Sequence, residues 1–169
     1  ASPIRRQPLL YNIFDTRTEG LATGWEEMML QAGMFDARPR SRELIYVLVA
    51  QRAARAAGDL GMHANQVTLE QAAQCAVDHT PRGWLRMDGT TVRGEQHLYL
   101  QQPAYGTSYL IGKMQIEELL AARRKQAGDH FRLAEFMEEF ERAGLIPMSL
   151  VTWELTGERP AFLDAADRH

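Results

Sequence analysis

The chain has 169 residues, 45% hydrophobic and 24% charged, which is enough for one domain with a real core and too apolar for wholesale disorder. A net charge of -3 provides no basic stripe of the kind a phosphate backbone requires, so nucleic acid is excluded as an expected partner. The longest apolar run, Leu44 to Ala50, falls far short of the roughly 20 residues that span a bilayer, and no basic stretch with an apolar core marks a signal peptide.

Without an export signal the default expectation is a cytoplasmic location, and the single cysteine, Cys75, excludes an internal disulfide. In chain order, an N-terminal arm containing Pro3 and Pro8 is expected to be irregular. Leu21, Ala22, Trp25, Met28, Met29 and Ala32 then recur at helical spacing, and Gly33 supplies the stop. A long second helix is expected after Pro39, with Ser41 as N-cap, through Leu44, Ile45, Leu48 and Val49 to about Gly61. Thr68 with Gln71 forms a capping-box pattern that opens a short third helix ending near Pro81.

Glycines, Asp88 and paired threonines mark Arg82 to Gly94 as loop, with a helical turn or two from Glu95 to Leu100. Pro103 sits where a first-turn proline belongs, and Tyr109, Gly112, Ile116 and Leu120 share one face of a helix reaching about Lys125. Gly128 and Asp129 separate it from a helix over Leu133 to Ala143, whose natural C′ residue is Gly144. Pro147 opens a last short helix through Trp153. No period-2 alternation persists and no repeat recurs, so the expected fold is all-α: an irregular arm followed by a bundle of about six helices. One domain is expected over residues 1–157, with a loosely ordered tail over 158–169.

Several constellations could carry chemistry. On the second helix Leu44, Leu48, Arg52, Arg55 and Asp59 advance by three or four residues, and His63 continues the stripe if the helix extends. Spacing alone favours a surface ion pair between Arg55 and Asp59, worth about 0.3 kcal/mol. The sharper reading aims two arginines, an aspartate and a histidine into a buried polar site where each charge must be matched. Glu19, Thr23 and Glu27 share a face of the first helix, and on spacing alone Glu19 is a first-turn acid favoured by the helix dipole. Tyr99, Tyr105 and Tyr109 cluster around Pro103; such tyrosines are commonly half-buried core residues, yet a phenol can donate to an oxyanion. Cys75 and His79 are one turn apart, but no further ligand motif completes a four-ligand metal site. No phosphate loop, GxSxG elbow or Ser/His/Asp arrangement is present.

Four segments in order resemble the C-terminal part of the bacterial family catalogued as domain of unknown function 885, helical proteins related to gluzincin-type zinc metallopeptidases. Ser2-Pro3-Ile4-Arg5-Arg6 is similar to the stretch before the family's glutamate helix, and Glu19-Gly20-Leu21-Ala22 with Glu26-Glu27-Met28-Met29 resembles its EGWALYAEELM helix. Arg55 and Asp59-Leu60-Gly61-Met62-His63 resemble R-x-x-x-D-x-G-x-H. Glu95, Tyr99, Pro103 and Ser108-Tyr109-Leu110-Ile111-Gly112 resemble E-x-x-R-Y-x-x-x-P-G-Q-A-x-S-Y-x-I-G. The chain departs from these patterns at Leu21, Gly24 and Leu98, and the Pro-Gly-Gln step reads Pro103-Ala104-Tyr105.

The resemblance implies that Glu19 is a zinc ligand whose companions come from a His-Glu helix absent from these residues. It implies that Tyr109, His63 and Tyr99 act on substrate, with Arg55, Asp59, Arg52 and Tyr105 contacting substrate or orienting ligands. The implied protein is a C-terminal fragment or subunit of a zinc-dependent, metallopeptidase-like hydrolase of amide bonds, not catalytic by itself. Its expected partners are an N-terminal segment or companion chain and a peptide substrate. The alternative is a non-catalytic helical binding or assembly module, for which an exposed apolar face and a homo-oligomer are expected.

Overall fold

The computed structural model describes residues 14–160; the arm with the Ser2–Arg6 segment, and the tail beyond residue 160, lie outside the described residues. Among the described residues seven α-helices follow one another: α1 (Asp15–Gln31), α2 (Pro39–His63), α3 (Leu69–Asp78), α4 (Thr90–Gln101), α5 (Tyr105–Ala127), α6 (Leu133–Ala143) and α7 (Met148–Thr156). Short 3₁₀ turns occupy Pro81–Gly83 and Gly128–His130. The expected all-α class holds among the described residues, and no helix there is long and apolar enough to cross a membrane.

The seventh helix is α4, where the sequence reads as loop up to Gly94 and as only a helical turn or two from Glu95 to Leu100. Val92, Gln96 and Tyr99 are buried along one face of it, and Val92 packs with Ala73 and Ala76 of α3 and with Leu85. Paired threonines and Gly94 lower the helix propensity of this stretch, but burial of a continuous stripe outweighs a weak local preference. Helix α1 also differs: it begins at Asp15, so Glu19 stands in the second turn and Asp15 in the first. The dipole account of Glu19 therefore weakens, because that field fades beyond the terminal turn. In α2, Pro39 takes the first helical position with Arg38 as N-cap, so Ser41 lies inside the helix, and the C-terminal end extends to His63. The Thr68–Gln71 capping box forms as expected, with Gln71 N–H donating to Thr68 Oγ1 at 3.2 Å and Thr68 N–H to Gln71 Oε1 at 2.8 Å.

Among the described residues three apolar clusters hold the helices. Ile116 and Leu119 of α5 meet Phe136, Phe140 and Ala143 of α6 and Met148 and Val151 of α7. A second joins α3 to α4, and a third sets Met62 of α2 and Ala72 of α3 around Tyr99. Helices α1 and α5 cross with backbone against backbone: a Cβ on Gly20 would lie 2.7 Å from Lys113 N, and one on Gly112 only 2.8 Å from Gly20 Cα. The first half of α2 contrasts with its second. No residue from 39 to 53 is buried, and Leu44 and Tyr46 are 54% and 49% exposed, whereas Ala54, Arg55, Ala56, Gly58, Asp59 and Met62 are buried.

Candidate functional site

Four helices bring the expected residues, and Glu95 with them, to one place. Helix α1 contributes Glu19; α2 contributes Arg52, Arg55, Asp59 and His63; α4 contributes Glu95 and Tyr99; and α5 contributes Tyr105 and Tyr109. The close crossing at Gly20 and Gly112 is what lets α5 present Tyr105 to α1, and the Tyr105 hydroxyl donates to Glu19 Oε1 at 2.6 Å. Tyr105 stacks on Tyr99 with ring centroids 6.1 Å apart and meets Tyr109 edge-on at 5.7 Å. The three phenols thus form a continuous aromatic wall beside the carboxylate.

Within the charged stripe of α2, Arg55 does not pair with Asp59. Arg55 Nη1 forms an ion pair with Glu95 on α4, so the expected surface pair between Arg55 and Asp59 is corrected. Both residues are buried, and Asp59 is fully so; a buried cation requires a close anion, and Glu95 provides it. Asp59 Oδ2 instead accepts the Thr107 N–H at 3.1 Å. Thr107 lies in the first turn of α5, whose N-cap residue Ala104 makes no side-chain cap, so a carboxylate from another helix satisfies an otherwise free amide. His63 Nε2 lies 2.9 Å from the Tyr99 carbonyl, to which it donates, and 3.5 Å from Asp59 Oδ1. One face of α2 therefore grips the α4–α5 elbow from both sides, at the last turn of α4 and the first turn of α5.

Arg52 is bound in bidentate fashion by Glu26, at 2.6 and 2.9 Å, and its guanidinium carbon stands 5.7 Å from the centre of the Tyr109 ring. Lys113 bridges Glu27 at 2.8 Å and Glu117 at 2.6 Å, tying α5 to α1 a turn further along. The elbow has a strained point: Ala104 adopts φ 69°, a left-handed conformation. This is the position at which the resembled pattern carries glycine, the residue that takes that conformation without a Cβ clash.

Electrostatics follow the packing. Burial raises the Tyr99 phenol to about 12, against the opposing pull of Arg55. Burial and then the bond to Glu19 push the Tyr105 phenol well above its ordinary value. Burial also raises Tyr109. All three phenols are protonated donors near neutral pH. Burial lowers the Arg55 guanidinium, while the hydrogen bond to Glu26 raises that of Arg52. Burial, with the nearby Glu19 charge, lifts Asp15 to about 6.

As a metal corner, Glu19 is suited: a carboxylate whose one oxygen is fixed by a phenol matches the usual way outer partners orient a ligand. One carboxylate is one ligand of the three or four that zinc takes from protein, and among the described residues no group of three or more His, Cys, Asp or Glu is arranged to hold an ion. His63 is turned to the Tyr99 carbonyl. Cys75 and His79 close on their own helical turn, His79 Nδ1 lying 2.8 Å from the Cys75 carbonyl and 3.6 Å from its Sγ.

Three participants escaped the reading of candidate residues. Glu95, partner to both Arg55 and Tyr99, lies four residues before Tyr99, a spacing that places it one turn away once α4 is recognised as a helix. Glu26 and Thr107 act through contacts between helices and leave no local trace. The chain matches the family described as bacterial protein of unknown function (DUF885) over residues 3–155 and belongs to that family. Comparison with curated proteins and with solved structures gave no match.

Proposed function

We propose that this chain supplies the carboxylate corner and the phenol-lined wall of a zinc-dependent, metallopeptidase-like hydrolase of amide bonds. The observation that carries the reading is the Tyr105 hydroxyl held 2.6 Å from Glu19 Oε1 within a cluster of phenols and guanidinium groups. Glu19 would hold the metal together with ligands supplied by a segment or companion chain outside the described residues. Zinc, when bound, supplies Lewis-acid activation of a carbonyl and of water.

The chain's own residues have separable parts in this scheme. Tyr109, half-buried and protonated, donates a hydrogen bond to the oxygen on which negative charge develops as the carbonyl is attacked. Tyr105 fixes the orientation of Glu19. Arg52, neutralised by Glu26, lies over the Tyr109 ring and limits its movement. Asp59 and His63, committed to Thr107 and the Tyr99 carbonyl, hold the elbow in place instead of touching a peptide. Tyr99, 1% exposed, likewise serves its neighbours.

Metal analysis of the full-length protein tests the reading. Stoichiometric zinc in the wild type and its loss in Glu19→Ala are expected, and unchanged zinc affinity in that variant overturns the ligand assignment. Exposed Leu44 and Tyr46 in the first half of α2 favour a second reading, a non-catalytic helical binding or assembly module. A full-length protein that takes up no zinc decides for that module.

A further inference from the structure

Two of the residues placed above end on a single oxygen of a third. Glu95 Oε2 takes the ion pair from Arg55 Nη1 and accepts the Tyr99 hydroxyl at 3.2 Å. The Tyr99 ring carries the stack on which Tyr105 rests, and Tyr105 in turn holds Glu19. Gly106 makes this contact tight. A Cβ there would stand 2.9 Å from Tyr99 Cδ2 and Cε2 and 3.0 Å from Asp59 Cβ, so the ring lies flush against the first turn of α5. Displacement of Tyr99 therefore displaces the turn that bears Tyr105.

We propose that Glu95 is a positioning residue of the site: by holding the Tyr99 hydroxyl against Arg55 it fixes the ring on which Tyr105 stacks, and so the direction from which Tyr105 reaches Glu19. The consequence for metal rests on Glu19 being a zinc ligand; the relay to Tyr105 does not. A carboxylate suits the task because one oxygen can accept from a guanidinium and a phenol together. A glutamine must turn either its oxygen or its donor amide toward them, and so fails one partner.

The test uses full-length protein with tyrosine rings labelled with carbon-13, the Tyr105 signal being assigned by its disappearance in Tyr105→Phe. In Glu95→Gln both the Tyr99 and Tyr105 signals are expected to move, with zinc affinity falling about tenfold, the lower end of the effect of removing an outer partner of a ligand. Leaving Arg55 as a buried, unpaired cation can unfold that variant. Tyr99→Phe keeps the Arg55–Glu95 pair and cuts the relay one step later, and it too should move the Tyr105 signal. In a Tyr105→Phe background Glu95→Gln should cause no further loss of zinc affinity, whereas a general structural role would give additive losses. A Tyr105 signal unmoved in folded Glu95→Gln, or in Tyr99→Phe if the former does not fold, overturns the proposal, as do additive losses of zinc affinity. A wild type without zinc whose Tyr105 signal nevertheless moves in the variants overturns the zinc reading and leaves the positioning role of Glu95 intact.

Discussion

Replacing Gly112 by alanine sets two elementary effects against each other. Alanine in a helix interior is favoured over glycine by about 1 kcal/mol, so on propensity alone the change stabilises α5. The crossing with α1 opposes it. The new Cβ would stand 2.8 Å from Gly20 Cα and nearer still to the Thr16 carbonyl oxygen, where carbon atoms in contact require about 3.5–4.0 Å. Both obstacles are backbone, so no side chain can rotate aside and α1 must retreat by about 1 Å. That retreat loosens the Tyr105–Glu19 and Lys113–Glu27 bonds together. Overpacking of this kind costs about 1–3 kcal/mol and occasionally more; with backbone on both sides the upper end applies, and after the propensity gain a net loss of about 2 kcal/mol remains. Urea unfolding should show the midpoint lowered with an unchanged slope. Gly94→Ala is the matched comparison, since that glycine lies in α4 with nothing within 4 Å of an added Cβ, and it should gain about 0.5–1 kcal/mol. A Gly112→Ala protein as stable as the wild type would refute the crossing argument.

Three further outcomes can be measured, the first two by urea unfolding and the third by the pH profile of Tm. Asp59→Ala removes the side chain that caps α5 at Thr107 and should cost about 1–2 kcal/mol in urea unfolding, whereas Asp59→Asn keeps an acceptor oxygen and should recover most of that loss. Ala104→Gly relieves the left-handed φ of 69°; set against glycine's greater entropy when unfolded, the gain should be about 0.5–1 kcal/mol. Asp15 binds its proton more tightly when folded, rising from 3.8 to about 6. Its contribution to stability is present below pH about 4 and lost as pH rises through about 6. Asp15→Asn should flatten the fall of Tm across that window, and an unchanged profile would remove Asp15 as its cause.

How much of this was legible in the sequence depended on where the deciding contact lay. Helix α6 is bounded by Leu133 and Ala143 as its spacing and Gly144 predict, and the Thr68–Gln71 box announces α3, because both signals are local. The first half of helix α4 was hidden, and its second half read as no more than a turn or two, because its stability comes from Val92, Gln96 and Tyr99 meeting other helices, while its surface carries Thr90, Thr91 and Gly94. In the site, the stripe of Arg55, Asp59 and His63 could be read from spacing, but its partners could not. Charge at i and i+4 invites a pairing of Arg55 with Asp59, and only the positions of Glu95 and of the first turn of α5 decide otherwise. The bond between Tyr105 and Glu19 joins residues 86 apart in sequence, a separation over which periodicity carries no information.

The grip of α2 on the elbow sets how this site responds to error. Arg55, Asp59 and His63 stand one turn apart on one rigid helix, so their contacts with Glu95, Thr107 and the Tyr99 carbonyl are not three independent fastenings. One residue of slip turns a helix by about 100°, which would carry all three side chains off their partners at once. A sliding helix has no intermediate register in which one contact persists and tilts the wall by degrees. The phenols are thereby held in an arrangement that is either complete or lost, and fidelity at Glu19 is inherited from the angular setting of a helix other than the one that carries Glu19.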